Sequence, residues 1–408
     1  MFTGPNIVRD GLVLALDAAN DDSFSGEPTT NLTTNTPSQN GWGGAYTVVD
    51  SDSKTFTIKT QQSNAATTSA WRTWYWSVSS YIGSTVTISA DVEFVEESNA
   101  TFSTITIGQG NTGTYPYHIA GSNSADRVTV STKPTQKISM TWSGVINATG
   151  IVGFTQWINN VTANGGYSTL KITNVQIEVK SSKTRFVNGT RGTTVATGGG
   201  WKDMSGNDNH GEILNGTTTS NDGSVLGALD FDGTNDYVAT TLNNPSGDWI
   251  HSIVFWMKLD SNQSSIGSRV DPFSIGSASD SRYSAMDISN NNVNWYFYNN
   301  DTRTSSNLFS GNTWYHIGLT YTGGGATTTT KTMYINGAKH TWGTNSGTSY
   351  GSNLNIPANA SLNIARDGGR TTAYFPGQIA MFKVYSTKAL TAAEVLQNYN
   401  ATKSRFGL

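Results

Sequence analysis

Short apolar runs follow one another along the chain, and clusters of Gly, Asn, Asp and Ser separate them. Runs this short, rich in Val, Ile, Thr and aromatic residues, predict β-strands, and the clusters between them predict turns. The spacing favours antiparallel sandwiches over a helical protein. The clearest predicted strands are 12–16, 85–94, 101–107, 169–179, 250–259, 293–298, 314–321, 332–336 and 379–385.

One helix is predicted, at the C-terminal end of the chain. Thr391 and Glu394 have the spacing of a capping box, and Val395, Leu396 and Tyr399 follow at helical intervals. We expect this helix to pack across a sheet edge and to end the fold.

Two polar, Gly-containing seams interrupt the strand pattern, at residues 20–30 and 188–200. The segment between them, about residues 27–190, is long enough to form a β-sandwich of its own. No repeat of fixed period is visible, which argues against a solenoid or propeller.

Composition narrows the class of protein. The 408 residues are 36% hydrophobic and 11% aromatic, so the chain can build packed cores, while charged residues reach only 13%. The net charge of -3 comes without basic blocks, which argues against nucleic acid as a partner.

We expect no membrane insertion and no classical export signal, because no apolar run approaches roughly 18 residues and the start lacks a basic region. With no cysteine, disulfides and thiolate metal sites are excluded.

Several segments resemble one family when taken in order. Residues 201–211 (WKDMSGNDNHG) look like the D-x-S-G-N-x-N-x-G turn that opens many concanavalin A-like, laminin-G-like jelly rolls. The successive strands and terminal helix of that family resemble LDFDGTNDYV (229–238), SIVFWMKL (252–259), TWYHIGLT (313–320), MYING (333–337), GQIAMFKVY (377–385) and ALTAAEVLQNY (389–399).

The strand that normally precedes this turn resembles GLVLALDAAN (11–20), some 180 residues upstream. The resemblance therefore implies an all-β fold of two antiparallel β-sandwich (jelly-roll) domains, one inserted in the other, with a short C-terminal helix. The expected divisions are 1–26 for the N-terminal strand of the outer jelly roll, 27–190 for an insert that resembles a carbohydrate-binding module, and 191–408 for the remaining jelly roll.

The combination resembles virion surface proteins of tailed bacteriophages, such as tail fibres. It implies a protein assembled in the host cytoplasm, released by lysis, and surrounded by other virion proteins, with copies of itself and host cell-surface glycans as partners. Lysis would also explain why a chain without an export signal has a surface poor in charged residues, as extracellular and particle-borne proteins do.

An aromatic segment supplies the candidate glycan site. In an extended strand Arg72, Trp74 and Trp76 share one face and Trp71 lies on the other. A flat ring exposed on such a face can stack on the C–H face of a sugar, which predicts a glycan platform; the alternative is that both faces are buried between sheets or in a subunit contact. Five further aromatic residues are candidates for the walls of this glycan site, with a position in the core as the alternative: Trp42, Tyr115, Tyr117, Trp142 and Trp157.

Two turns carry hard oxygen donors of the type that Ca²⁺ prefers, and relatives in this family bind calcium at a loop edge. No cofactor is firmly implied, and Ca²⁺ is the one candidate. The alternative is that these Asx residues only cap their own turns. The donors are Asp232, Asn235 and Asp236 on one turn, and Asp203, Asn207 and Asp208 on the other.

Enzymatic function is not expected. Glycosidases need two carboxylates roughly 5 to 10 Å apart, the E-x-D-x-x-E pattern of jelly-roll glucanases is missing, and the five histidines are dispersed. We therefore interpret the chain as a non-enzymatic adhesin that binds host glycans. The alternatives are a purely architectural capsid or tail decoration protein and, more remotely, a polysaccharide-cleaving enzyme.

Overall fold

A computed structural model of the chain describes residues 6–33, 37–42, 46–52, 54–62, 68–112, 118–119, 124–163, 165–222, 225–346, 349–369 and 373–408. The chain divides into two compact units: unit 1 comprises residues 1–28 and 192–408, and unit 2 comprises residues 29–191. Unit 2 thus interrupts unit 1 in sequence. The predicted all-β class, with one sandwich inserted in the other, is confirmed.

Antiparallel β-strands make up nearly all the regular structure. Unit 1 begins with β1 (Leu12–Asp17). Unit 2 contains β2 (Thr29–Thr30), β3 (Ser38–Trp42), β4 (Tyr46–Asp52), β5 (Thr55–Gln61), β6 (Ala70–Ser77), β7 (Thr85–Ser98), β8 (Thr101–Gln109), β9 (Arg127–Val130), β10 (Ile138–Val145), β11 (Ile151–Asn159), β12 (Tyr167–Glu178) and β13 (Thr190–Arg191).

The rest of unit 1 contains fifteen strands and the helix, in an order that forms two sheets. These elements are β14 (Glu212–Leu214), β15 (Thr218–Asp222), β16 (Val225–Asp232), β17 (Tyr237–Thr241), β18 (His251–Leu259), β19 (Val270–Gly276), β20 (Tyr283–Ser289), β21 (Asn292–Tyr296), β22 (Asp301–Thr304), β23 (Trp314–Tyr321), β24 (Lys331–Ile335), β25 (Ala338–His340), β26 (Thr344–Ser346), β27 (Ser361–Ile364), β28 (Pro376–Ser386) and α1 (Ala392–Thr402).

Unit 1 is a jelly roll of two eight-stranded sheets. Sheet A has the order β15-β16-β28-β18-β23-β24-β25, with β1 also paired to β28, and sheet B has the order β14-β17-β27-β19-β20-β21-β22-β26. Apolar side chains of both sheets meet in one core, where Phe255 and Phe382 of sheet A contact Phe273 of sheet B at ring-centroid distances of 5.7 Å. Alternation along each strand then directs the intervening residues to the outer faces.

The helix α1 begins as the sequence predicts but packs elsewhere. Thr391 and Glu394 form the capping box, with the Thr391 N–H donating to Glu394 Oε2 at 2.9 Å. The helix covers the outer face of sheet A rather than a sheet edge: Val395 is buried against Val254 and Tyr385. The expected position was wrong because sheet A carries apolar residues on both faces, so its outer face also needs cover. No helix in the described ranges is long and apolar enough to cross a membrane.

Unit 2 is a smaller sandwich of two five-stranded sheets. Their orders are β10-β7-β12-β5-β4 and β3-β6-β11-β8-β9. Between them lies a separate core that includes Phe56, Trp74 and Phe154. The two ends of the unit lie side by side, because Thr30 of β2 pairs with Thr190 of β13.

Candidate functional site

The strand β6 places its aromatic residues on two faces, as predicted, but the face with the predicted platform points inward. Trp74 is 0% exposed and Trp76 is also buried, both in the core of unit 2 beside Phe154. Arg72 lies half-buried at the end of this face, against Gly41 of β3. A ring that is wholly enclosed by side chains cannot stack on a sugar, so the predicted glycan platform is wrong for Trp74 and Trp76.

On the opposite face, Trp71 belongs to an aromatic cluster. Its ring stacks on His118 at 4.4 Å between centroids, and Trp157 of β11 lies 6.1 Å away. Burial, together with the positive charge of Arg127, lowers the pKa of His118 to about 4. Trp71 is only 9% exposed, whereas Trp157 and His118 are half-buried. The partly exposed rings of the cluster are therefore those of Trp157 and His118, and Trp71 stays a proposed contact.

The remaining aromatic candidates have different positions. Trp142 lies in the core of unit 2, where its indole N–H donates to the Ala125 carbonyl at 2.9 Å. Tyr115, Tyr117 and the side chain of Trp42 lie outside the described residues.

The candidate calcium turn is held by its own donors and acceptors. Asp232 Oδ1 accepts the N–H groups of Thr234 at 2.7 Å and Asn235 at 3.2 Å, and the carboxylate of buried Asp236 accepts the Asp232 N–H at 3.3 Å. No group of three or more His, Cys, Asp or Glu side chains that could hold a metal occurs in the described part of the chain. The hydrogen bonds favour the turn-capping alternative for these carboxylates, and the calcium site stays a prediction.

The second turn is a structural clamp. The Asp203 carboxylate accepts the N–H groups of Ala15 at 2.8 Å, Ser205 at 2.8 Å and Asn209 at 3.1 Å, together with the Ser205 hydroxyl at 2.8 Å. Asn209 in turn donates to the Val13 carbonyl at 2.7 Å. These bonds tie β1 to the chain that returns from unit 2, so this carboxylate has no room for a cation.

A groove of about 550 Å³ lies on the outer face of sheet B. Its floor is a cross-strand row in which Glu212 of β14, Ala239 of β17 and Asn363 of β27 are neighbours. The next row pairs Thr241 with Ser361. Small side chains keep the groove open, and its carboxylate, hydroxyl and amide groups can both donate and accept hydrogen bonds.

The loop after β27 forms one wall of this groove through close backbone contacts. The Gly368 N–H donates to Ser274 Oγ at 2.8 Å. A Cβ on Gly368 would lie 2.4 Å from Asn363 Nδ2, and one on Gly369 would lie 2.2 Å from the Ala278 Cβ. A larger residue at Gly369 would displace Ala278, and one at Gly368 would displace the Asn363 side chain, so the glycines let the loop lie against the floor.

A buried charge network fixes the same loop from beneath. Arg269 binds Asp271 through two nitrogens, at 2.7 and 2.6 Å, and reaches Asp367 Oδ2 at 2.5 Å. Tyr296 donates to Asp271 at 2.8 Å, and Tyr283 donates to the other oxygen of Asp367. Asp367 Oδ1 also accepts the N–H of Gly369 at 2.8 Å in the groove wall. The network makes that wall rigid.

One cation faces three carboxylates in this network, because Asp287 lies 3.8 Å from Arg269. Burial raises the pKa of Asp271 well above its usual range, although the Arg269 guanidinium opposes it, and burial likewise raises the pKa of Asp287. The carboxylates of Asp271 and Asp367 are almost fully enclosed, and their oxygens are occupied by Arg269 and the two tyrosines. They support the groove and do not reach a ligand in it.

Sequence reasoning missed both the groove and the network. The alternating polar residues of Ser361 to Ile364 are visible in the sequence, but any solvated strand face looks the same. Asp271 and Asp367 are far apart in the chain, and only the pairing of β19 with β27 brings their neighbourhoods together.

Comparison with known families finds one match, which lies in the jelly roll of unit 1. Residues 232–396 match the family model of laminin-G type described as the Concanavalin A-like lectin/glucanases superfamily. The matched segment runs from the end of β16 into α1 and lies within unit 1. This segment of unit 1 is therefore similar to the lectin-like domains of that superfamily. No curated protein sequence matches the chain.

Solved structures resemble the chain at low identity. The receptor-binding domain of botulinum neurotoxin D is 15% identical with a TM-score of 0.36, over 49% of this chain and 49% of that one. Domain 4 of an extracellular arabinanase from Geobacillus stearothermophilus, solved with arabinotriose, is 20% identical with a TM-score of 0.33, over 48% and 92%. A Trypanosoma rangeli sialidase mutant is 13% identical with a TM-score of 0.36, over 53% and 32%. The chain spans about half the length of the neurotoxin domain.

Proposed function

We propose that the protein binds glycans, without cleaving them, through the groove on the outer face of sheet B. The observation that carries the proposal is the groove itself, with Glu212, Thr241, Ser361 and Asn363 grouped on a rigid sheet of a lectin-like domain. Sugars present closely spaced hydroxyl groups, and such mixed donors and acceptors can bind several of them at once.

An aromatic residue lies on the same face of β17. Tyr237 is two residues from Ala239 in the groove, and the guanidinium of Arg366 covers its ring at 4.4 Å. Tyr374 lies 6.4 Å from Tyr237 between ring centroids. The two rings supply apolar surface for the C–H face of a sugar beside the hydrogen-bonding groups, and the Arg366 guanidinium supplies N–H donors.

The binding role also fits the chemistry beneath the groove. A glycosidase needs two carboxylates that reach the substrate. The carboxylate oxygens of Asp271 and Asp367 instead accept hydrogen bonds from Arg269 and two tyrosines. Glu212 is the carboxylate in the groove lining, and the Thr193 hydroxyl donates to it at 3.0 Å.

The more specific proposal is a virion surface protein of tail-fibre or adhesin type, with an insert of carbohydrate-binding-module type. Its support is the resemblance of residues 11–20, of the insert and of the terminal helix to such proteins. Many copies on one particle, alongside other virion proteins, would multiply weak glycan contacts by avidity. In unit 2 the proposed second contact is the cluster of Trp71, His118 and Trp157.

Adsorption of the purified protein to host envelope polysaccharides tests the groove. Ser361→Trp places a large ring in it, at an exposed strand position, and we expect binding to fall at least about tenfold, which is a loss of about 1.4 kcal/mol. Ala338→Trp, at an exposed position of sheet A, is the matched control and should bind like wild type. Chelator should have no effect, because the Asp232 turn caps itself.

Equal binding by wild type and Ser361→Trp would remove the groove from the proposal. If Trp71→Ala or Trp157→Ala then abolished binding, the site would lie in unit 2. If the protein bound none of the polysaccharides, even as an oligomer, glycan binding would be contradicted and the purely architectural role on the particle would be favoured.

A further inference from the structure

A second cavity, of about 400 Å³, opens on the outer side of sheet A, whereas the groove lies on sheet B. It is bounded by the segment at Ile7 and Arg9, by β1, by the turn at Met204, and by Met381 and Lys383 of β28. Thr402 at the end of α1 completes the wall. All these residues belong to unit 1.

Lys383 is the unusual member of this wall. It pairs with Ala15 of β1 on one side and with Val254 of β18 on the other, so it is in the middle of the sheet. It is 8% exposed, and within the described residues the acceptor at its ammonium group is the Met381 sulfur, at 3.7 Å. A thioether is a weak acceptor. A buried ammonium without an oxygen acceptor is unfavourable, so this group is available to a ligand.

The nearest carboxylate is committed to another cation. Asp17 Oδ1 accepts from Arg405 at 2.6 Å and from the Ala19 N–H at 3.0 Å. Arg405 belongs to the short turn after α1, and Arg9 lines the pocket from the N-terminal segment. Two cations, Arg9 and Lys383, thus line the cavity together with the carboxylate of Asp17, which is itself paired with Arg405. Burial lowers the pKa of Lys383 to about 8, the charge of Asp17 opposes this, and Arg405 adds to it.

The rest of the cavity wall is largely apolar. Leu12, Met204 and Met381 contribute flexible or branched hydrocarbon and thioether surface. Methionine side chains adapt to ligands of different shape. A ligand that suits both features has an anionic end and an apolar or weakly polar body.

We propose that this cavity binds a small organic carboxylate, whose charged group contacts Lys383 and whose body lies against Met204 and Met381. The site is separate from the groove, so either can fail without the other. The carboxylate has two chemically distinct sources: a free short-chain fatty acid, or an acidic sugar such as a uronic acid.

Titration calorimetry on the full chain at pH 7 distinguishes these sources and tests the site. The probes are hexanoate and glucuronate, with hexanol and glucose as their neutral counterparts. We expect saturable binding of at least one carboxylate, and binding at least about tenfold weaker for its neutral counterpart.

Lys383→Met removes the charge and keeps an unbranched side chain, so it should fold and should lose at least about tenfold in carboxylate affinity. Lys339→Met is the matched control, because Lys339 is exposed on β25 of the same sheet. Lys383→Arg should keep most of the binding. In wild type the affinity should be level between about pH 6 and about pH 8, where the ligand is ionised, and should decline above that by about tenfold per pH unit as the lysine loses its proton.

Three results would each overturn the proposal. They are no saturable binding of either carboxylate at millimolar concentration, equal affinity in wild type and Lys383→Met, and equal affinity for the acid and its neutral counterpart. The wild-type pH profile provides an independent reading if a variant folds poorly, and affinity that stayed level above pH 8 would count against Lys383.

Discussion

Individual tryptophans show what strand alternation can and cannot decide. The sequence of β6 correctly separates Trp71 from Trp74 and Trp76, because adjacent side chains of a strand point to opposite faces. It does not indicate which face meets the core. Both faces of β6 are largely buried, since Trp74 and Trp76 face the core of unit 2 and His118 covers Trp71 on the other face.

Substitutions at Trp74 test its assignment to the core. Trp74→Ala should lower the free energy of unfolding by about 3–5 kcal/mol, because it leaves a large cavity. Trp74→Phe should cost much less, because it also removes an indole N–H that is buried without a hydrogen-bond partner in the described structure. Urea denaturation gives the free energy of unfolding of both variants and of wild type. A loss below about 1 kcal/mol for Trp74→Ala would contradict the assignment of this ring to the core and would favour a surface position.

The residues that sequence analysis could not find are those whose chemistry depends on distant partners. Arg269 and Asp367 are separated by 98 positions, and neither stands in a recognisable motif. Their contact requires the completed sheet B, in which β19 pairs with β27. A buried network of this kind is visible only once the strand order is known.

At the scale of elements, local patterns predicted the structure best where the interaction is itself local. The capping box at Thr391 is confirmed because its donor and acceptor are three residues apart. The nine strands named from alternation and turn residues each overlap a strand of the structure, whereas strands such as β19 and β27 were not predicted. The position of α1 was predicted wrongly, since the residues that it covers come from strands far away in the chain.

The turn around Asp203 connects two distant elements, and its energetic role can be measured. In Asp203→Asn an amide N–H₂ would face the N–H of Ala15 or Asn209, both of which donate to the carboxylate. We expect a loss of about 1–3 kcal/mol in the free energy of unfolding of unit 1, with faster hydrogen exchange in β1. Asp208→Asn, at an exposed position of the same turn, should change stability by no more than about 0.5 kcal/mol.

A different result would revive the cation hypothesis for this turn. Suppose that the substitution Asp203→Asn and the addition of chelator to wild type lowered the melting temperature by similar amounts. If chelator then had no further effect on Asp203→Asn, Asp203 would be a metal ligand rather than a clamp.

The whole molecule shows how one sandwich can sit within the sequence of another. Unit 2 begins and ends in adjacent strands, with Thr29 paired to Arg191 and the Asn31 N–H donating to the Gly189 carbonyl at 2.8 Å. Insertions are tolerated where the chain ends of the inserted domain lie close together. In unit 1 the Asp203 clamp and the pairing of β1 with β28 restore the contact that the insertion separates in sequence.

This arrangement predicts that each unit folds alone. Among the described residues, the core of unit 1 and the core of unit 2 have no member in common, and each lies between two sheets of its own. Residues 29–191 should therefore unfold in one cooperative transition, and residues 1–28 joined to 192–408 by a short Gly-Ser linker should do the same, with polysaccharide binding by the groove retained in the second protein. Circular dichroism and calorimetry would check both. If either part exposed apolar surface to a fluorescent dye and lacked a cooperative transition, the two sandwiches would depend on each other, and residues 29–191 would be an extension of the jelly roll rather than an inserted domain.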